Sequence, residues 1–523
     1  MAARKLSTPE AALRQAMALH RAGREREADA LYAQVLRAEP LQPQALRLRG
    51  VLARDSGDLA ASLRLLRKAV AAADSDPEPC AELGLSYLAA GYLQLAEAAF
   101  REAVERNPES RKALANLGAL LQHRGHVLAA IAVYRQVIAL DPDDLEVRCN
   151  LAHSLVEAGR GDDALQECDE ALIRSPDHPA VLATRGAILC SLERYAEAVP
   201  VLEAALESPT AAGLDEMALI NLALAFREMQ TADQALLALQ AAVQVNPDNA
   251  RAAADLALLL SAEGRYSDAL ATSDEFLQHY PGERLVLAAR AVVLRDAGRE
   301  DEARALLDLQ ELVAIRELGA PDNLSIDSFN AELTALLLAD PSLLESPISK
   351  STRGGAQTGE FNTDQEPLLA RLQEQLNIEL RTVIARWRER GLQDHPAMAW
   401  ASGHWTLRIW GTVLEPGGCQ LPHIHPLAWL SGVYYVQIPD GITTGEAGAL
   451  EFGELPTRFG NQRQPDRRQI AAIEGRVVIF PSYFHHRTLP FTGAGQRISI
   501  AFDVVPVRVP AVTGRESPVH QSV

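Results

Sequence analysis

At 523 residues the chain is too long for one hydrophobic core, so two or three domains are expected. A formal charge of −19 argues against nucleic acid or an anionic membrane as the main partner. The five cysteines (Cys80, Cys149, Cys168, Cys190, Cys419) form no CxxC pair and no framework spacing, which fits a reducing compartment. The N-terminus carries no apolar leader, and no run approaches the ~18 apolar residues of a membrane span, so a soluble cytoplasmic protein is expected.

Alanine and leucine dominate the first 310 residues, and small residues recur there on a fixed period. Ala16, Gly50, Gly84, Gly118, Ala152, Gly186, Ala223, Ala257 and Ala291 are spaced by 34 residues, with one step of 37 between Gly186 and Ala223. A second small residue follows each by twelve: Ala28, Ser62, Ala96, Ala130, Ala164, Ala198, Ala235, Ala269 and Ala303. The three-residue excess is expected in the segment Pro209–Gly213. The physical reading is two helices per unit, in close contact at the small residues, with Tyr32, Phe100 and Tyr134 filling the gap. Gly23, Gly57, Gly91, Gly125, Gly159, Gly264 and Gly298 fall at the turn between them, where a positive φ is cheap for glycine. Proline closes most units and stops the second helix. This pattern resembles the tetratricopeptide repeat, in about nine units over residues 9–312.

A solenoid of this kind lines its concave face with the first helices and usually binds protein or peptide there. Asn116, Asn150 and Asn221 share the position two residues before the small residue of the first helix, with Glu82 and Asp255 as polar stand-ins. An asparagine amide offers a donor and an acceptor to an extended backbone. The arrangement resembles the asparagine ladder of O-linked N-acetylglucosamine transferases, which implies these residues as partner-binding. The bland alternative is that they are solvated polar residues.

Residues 313–364 are expected as a helical adaptor and linker. Asn323–Leu344 reads as helical, and Ser349–Gly359 as a loop by composition. Leu369, Leu372, Leu376, Leu380, Val383 and Trp387 recur at steps of three and four, which predicts an amphipathic helix packed on a sheet. From Thr406 the texture turns β-branched and aromatic. Strands are expected at Thr406–Leu414, Leu430–Ile438, Ala449–Phe452, Arg476–Phe480 and Arg497–Val505, closing into an all-β barrel or sandwich over 365–510. Residues 511–523 are a tail.

The chemistry concentrates in this last part. His423 and His425 alternate, so on a regular strand they face one side; imidazole is the commonest neutral ligand for Fe, Zn, Cu and Ni. His486 follows a β-run and a Phe-Pro-Ser turn. Arg497, eleven residues on, is an always-charged bidentate carboxylate binder, and Ser499 shares its face. Glu451 is a reserve carboxylate ligand. His404 and Arg487 read as structural, and Cys419 as a core thiol.

The stretches His423-Ile-His-Pro-Leu-Ala-Trp-Leu-Ser-Gly-Val-Tyr-Tyr-Val, Gly475-Arg-Val-Val-Ile-Phe-Pro-Ser-Tyr-Phe-His-His486 and Gln496-Arg-Ile-Ser-Ile-Ala-Phe resemble the 2-oxoglutarate/Fe(II)-dependent oxygenases. The resemblance covers roughly residues 325–508 and implies a double-stranded β-helix (jelly roll) with supporting helices, preceded by the all-α solenoid. It implies His423 and His486 as iron ligands, with the family register choosing His486 over His485. It implies Arg497 and Ser499 as binders of 2-oxoglutarate, with Tyr434 or Tyr435 lining the same pocket. Most of the wider superfamily has HxD; here His425 takes the carboxylate position, either as a third ligand or outside the coordination shell.

Two readings follow. One is an Fe(II)/2-oxoglutarate dioxygenase that hydroxylates a protein or peptide recruited by the repeats, with no nucleic acid or membrane partner. The other is an inactive scaffold with a degenerate barrel. A cupin-like metal site without 2-oxoglutarate leaves Arg497 and Ser499 unused.

Overall fold

The computed structural model describes residues 8–507 except 74, 208–213, 320–324, 346–349, 364, 402, 440–441, 443–445, 457–462 and 464. The chain divides into two compact units, one up to Leu120 and one of Leu121–Pro506. Among the described residues, helices run in consecutive pairs from Pro9–Arg21 to Glu300–Leu306.

Each pair is built as its spacing requires. In the first unit a Cβ added at Gly50 would lie 2.7 Å from Leu66, and one at Gly84 would lie 2.5 Å from the Phe100 ring. In the second unit, Gly186 would meet Leu202 at 2.4 Å. The second small residue is buried wherever it recurs, from Ala28 through Ala130 to Ala303. A left-handed residue links the two helices of each pair. The seven glycines expected there have φ of 71–85°, and the two units that lack glycine place Glu193 (φ 59°) and Gln230 (φ 61°) at the same position. The extra residues of the 37-residue step lie outside the described residues; the flanking helices are Tyr195–Glu207 and Leu214–Glu228.

The sheet consists of β1 (Ala314–Glu317), β2 (Leu344–Glu345), β3 (Thr352–Gln357), β4 (Trp405–His423), β5 (Leu430–Gln437), β6 (Leu450–Phe452), β7 (Arg468–Ile470), β8 (Arg476–Pro481), β9 (His486–Thr488) and β10 (Arg497–Pro506). Pairing is antiparallel in the order β1-β8-β5-β10-β4-β9-β6-β7, with β3 joined to β4 and β2. β4 runs nine residues past its expected end. It pairs with β10 as far as Leu414 and reaches β9 at Gln420, so one strand serves both halves of the barrel.

The segment expected as adaptor and linker is corrected here. It supplies β1, β2 and β3, and the stretch read as a loop forms β3 against β4. Its Gly354 and Gly355 suppressed the strand signal, yet they allow close backbone approach: a Cβ on Gly355 would sit 2.2 Å from the Val413 carbonyl oxygen.

One face of β10 (Arg497, Ser499, Ala501, Asp503) turns to the barrel interior, and the other packs on helices. The helix Pro367–Glu389 buries Leu369, Leu372, Leu376, Leu380, Val383 and Trp387 in the same core as Leu407, Ile409 and Ile500. The helix Ile326–Leu338 packs Leu337 against Gly411, where a side chain has no room.

Within the second unit, repeats and barrel share a tight seam. Gly125, at the turn between the helices Arg111–His123 and Val127–Leu140, faces Gly359; a Cβ on Gly359 would lie 3.1 Å from the Gly125 backbone. The Glu360 amide donates to the Arg124 carbonyl (2.7 Å), and the Arg124 guanidinium donates back to the carbonyls of Glu360 (3.1 Å) and Phe361 (3.3 Å). Glu360, buried, pairs with both Arg124 and Arg408. Tyr483 donates to the Leu306 carbonyl (3.0 Å), and Arg284 to that of Pro426 (2.9 Å).

Candidate metal centre

β4 and β9 bring His423 directly opposite His486, and His425 follows two residues beyond the end of β4. One ring nitrogen from each of His423, His425 and His486 lies within 4.8 Å of the others. The rings of His423 and His486 are 4.3 Å apart, and His425 lies 5.1 Å from each.

Which nitrogen of each ring keeps its lone pair follows from what the other one faces; at His423 the Ser351 hydroxyl lies 3.4 Å from Nε2. Nδ1 of His423 lies 2.7 Å from the Leu421 carbonyl, and Nδ1 of His486 lies 2.9 Å from the Phe484 carbonyl. A carbonyl only accepts, so Nδ1 carries the proton and Nε2 keeps its lone pair. Nδ1 of His425 lies 2.6 Å from Oδ1 of Asp503, which likewise accepts. Burial, then the neighbouring imidazoles, push the His423 pKa down to about 3 and that of His486 well below its ordinary value. Both rings are therefore neutral, as a metal ligand must be. Three lone pairs with their opposite nitrogens anchored fit a first-row divalent ion such as Fe(II).

The same cavity, of about 420 Å³, is also lined by Arg497. Its guanidinium is 1 % exposed, donates to the Gly448 carbonyl (3.1 Å) and Ser499 Oγ (3.4 Å), and sits 5.1 Å from the Tyr435 ring centre. Among the described residues no carboxylate pairs with it. Burial lowers the Arg497 pKa and raises that of Tyr435, the charge of Arg497 opposing the second shift. Thr412, Ser499 and Tyr435 sit side by side on β4, β10 and β5. The Thr412 hydroxyl is buried without a hydrogen-bond partner, and that of Tyr435 has none of good geometry. A buried cation beside unsatisfied hydroxyls is costly in an apolar barrel and matches a bound carboxylate such as that of 2-oxoglutarate.

Several sequence expectations need correction. Tyr434 faces the opposite way, donating to Asn330 Oδ1 (2.6 Å) on the helix Ile326–Leu338; alternation along β5 sends only Tyr435 inward. Glu451 binds Arg487 and Gln469 (2.7 Å each) and pairs across from Arg487, whereas its neighbour Phe452 pairs with His486. It is not in the histidine cluster. His404 is exposed, and His485 faces a separate small pocket with Arg295 and Asp466. In the repeats, the Asn116 amide nitrogen is buried without a partner, Asn150 is half-buried, and Asn221 donates to the Met217 carbonyl of its own helix (3.0 Å). Glu82 and Asp255, at the equivalent positions, are held in ion pairs with Arg54 and Lys112 and with Arg251.

Sequence reading missed Thr412, Trp410 and Asp503. Asp503 was accessible in principle, since it lies on the same face of β10 as Arg497 and Ser499. The other missed contributor is the repeat turn itself: His123, Arg124, Gly125 and Val127 line the cavity together with the barrel residues.

Fold and site together define a helical-repeat protein carrying a double-stranded β-helix with a three-histidine cluster. Residues 408–503 match the family described as "Putative 2OG-Fe(II) oxygenase". Tetratricopeptide repeat models match residues 3–77, 82–144 and 220–284, and another matches 121–188. The chain thus joins tetratricopeptide repeats to a C-terminal domain of that oxygenase family. No curated protein matches it. Among solved structures it is similar to a tetratricopeptide repeat protein from Parabacteroides merdae (15 % identity, 46 % of this chain and 93 % of that one, TM-score 0.40). It is also similar to TTC0263 from Thermus thermophilus (24 %, 35 % and 100 %, TM-score 0.30). No helix among the described residues is long and apolar enough to cross a membrane.

Proposed function

We propose that the protein is an Fe(II)- and 2-oxoglutarate-dependent dioxygenase that hydroxylates a protein or peptide brought to it by the repeats. The observation that carries this reading is one cavity holding both a triad of anchored imidazoles and a buried guanidinium without a carboxylate partner. His423, His425 and His486 would hold the ion; Arg497, with Ser499, Tyr435 and Thr412, would take the distal carboxylate of the cosubstrate. When bound, iron and cosubstrate supply the oxidising power: 2-oxoglutarate and O₂ become succinate and CO₂ while a substrate C–H becomes C–OH.

The chain's own part is to bind, orient and keep water out. Trp410, Phe480 and Leu450 line the cavity with apolar surface. Arg497 would hold the cosubstrate carboxylate with a planar, always-charged guanidinium, which a lysine would not reproduce. The protein substrate reading rests on the wall that the repeat turn His123–Val127 gives the cavity: whatever reaches the histidines passes beside the solenoid. We place the solenoid at residues 9–312 and the barrel from β1 onward. Asn116 and Asn150 are the partner-binding asparagines we retain.

The test is anaerobic addition of Fe(II) and 2-oxoglutarate, read by the visible metal-to-ligand charge-transfer band. The band is expected in the wild type and lost or weakened in Arg497→Ala and His486→Ala. No band and no retained iron in the wild type would refute the oxygenase reading and leave a scaffold with a relic barrel.

A further inference from the structure

Replacing the usual carboxylate ligand by His425 should leave a divalent ion one charge more positive than in a two-histidine, one-carboxylate site. The structure holds a carboxylate one bond further out. Asp503 Oδ1 accepts from His425 Nδ1 at 2.6 Å and from the Ser431 hydroxyl at 2.6 Å. Asp503 is 8 % exposed, and β10 holds it between two register partners, Arg408 on β4 and Ser431 on β5. Arg408 is turned to Glu360 and the His123 carbonyl. Among the described residues His425 is the basic side chain in contact with Asp503, whose charge is also felt, more weakly, at His423 and Glu360.

The other two imidazoles lean on neutral carbonyls, so the carboxylate falls on the one histidine that stands in the carboxylate's place. We infer that Asp503 is a positioning residue for the metal: it fixes His425 with Nε2 toward the ion and restores, through the imidazole, the negative charge that a direct carboxylate would have given. Three neutral imidazoles and one aspartate around a divalent ion carry a net charge of +1, the same as two imidazoles and one bound carboxylate. A carboxylate behind a ligating histidine raises its basicity and holds its orientation, and losing such a partner typically costs about 10- to 100-fold in metal affinity.

This inference rests on the metal site of the proposed oxygenase but not on 2-oxoglutarate, so its test uses Co(II) alone. Binding is read by quenching of tryptophan fluorescence, since the Trp410 ring lies 5.7 Å from that of His425. Asp503→Asn keeps both acceptor contacts and removes the charge. It is expected to weaken Co(II) binding about 10- to 100-fold, with the melting temperature of the metal-free protein unchanged. Asp503→Asn binding Co(II) as tightly as the wild type would overturn the inference.

A wild-type measurement covers the case of a variant that does not fold. The Co(II) protein should show three exchangeable, hyperfine-shifted imidazole N–H resonances, and two would place His425 outside the coordination and refute the role of Asp503. Weakened Co(II) binding in Asp503→Asn without any 2-oxoglutarate band in the wild type would sink the oxygenase reading and keep this one. A normal band with Co(II) affinity indifferent to Asp503 would do the reverse.

Discussion

Glu360 joins the repeat turn to the barrel, and removing its charge should loosen both. Its carboxylate lies among Arg124, whose side chain is 1 % exposed, and Arg408, at 16 %. Replacing Glu360 by Gln leaves two guanidinium groups in a site that water barely reaches. Breaking a buried pair from one side costs about 3–5 kcal/mol, because the surviving charge is uncompensated. Burial raises the Glu360 pKa, with Arg408 and Arg124 opposing the shift; the seam is local, so the assay is hydrogen exchange. The Glu360 amide, bonded to the Arg124 carbonyl, reports directly. At 1.36 kcal/mol per tenfold change, its protection and that of residues 124–127 should fall by about two to nearly four powers of ten. Arg124→Met in the same chain removes one stranded cation, so the double variant should recover part of the loss. Exchange at the seam unchanged in Glu360→Gln, or a double variant showing the plain sum of two losses, would refute the reasoning. Since His123–Val127 wall the cavity, the same variant should widen access to the histidines.

Other outcomes are specific to single positions. Tyr435→Phe should weaken 2-oxoglutarate binding about 5- to 10-fold, the worth of one hydrogen bond, without altering stability. Tyr434→Phe should do the opposite, destabilising by about 1–2 kcal/mol through the stranded Asn330 and leaving the cosubstrate titration unchanged. Gly186→Ala should destabilise the second unit by about 1–3 kcal/mol in denaturant melts, because its Cβ would meet Leu202 at 2.4 Å. Glu193→Gly and Gln230→Gly should instead stabilise, by up to about 1 kcal/mol, by relieving a left-handed conformation; a loss at either would refute that reading. Burial lowers the pKa of His153, favouring the neutral ring in the fold. Its contribution is complete above its unfolded value near 6.5 and is lost as pH falls through that value toward the folded one. The stability advantage of wild type over His153→Asn should therefore shrink between pH 7.5 and 5 in thermal melts, and a constant difference would refute the shift.

The helical half was legible because its period is a packing constraint repeated many times. A small residue opposite Leu66, Phe100 or Leu202 is dictated by contact distance, and one glycine per turn by backbone sterics. Even the exceptions obey the period, since Glu193 and Gln230 hold the left-handed conformation without glycine. The barrel was less legible. β9 is three residues long and its partners are distant in sequence, while β3 carries two glycines that mimic a loop. Strand alternation was the weak point at Tyr434 and Tyr435, where composition fits either face and only the register with Ser499 tells them apart.

At the metal centre, the residues read from sequence are those that could touch an ion or a carboxylate, and the missed ones act through them. His425 looked like a defect because the motif was read along one strand. Its hydrogen-bond partner Asp503 lies 78 residues away on β10, at a distance only the fold can close. Yet the pattern Arg497, Ser499, Ala501, Asp503 points one face of a single strand into the cavity. The strand that would take the cosubstrate is thus also the strand that would set the charge on the metal. A change in β10 register by one residue would turn Arg497 and Asp503 out together, and that coupling ties the histidine at position 425 to this strand.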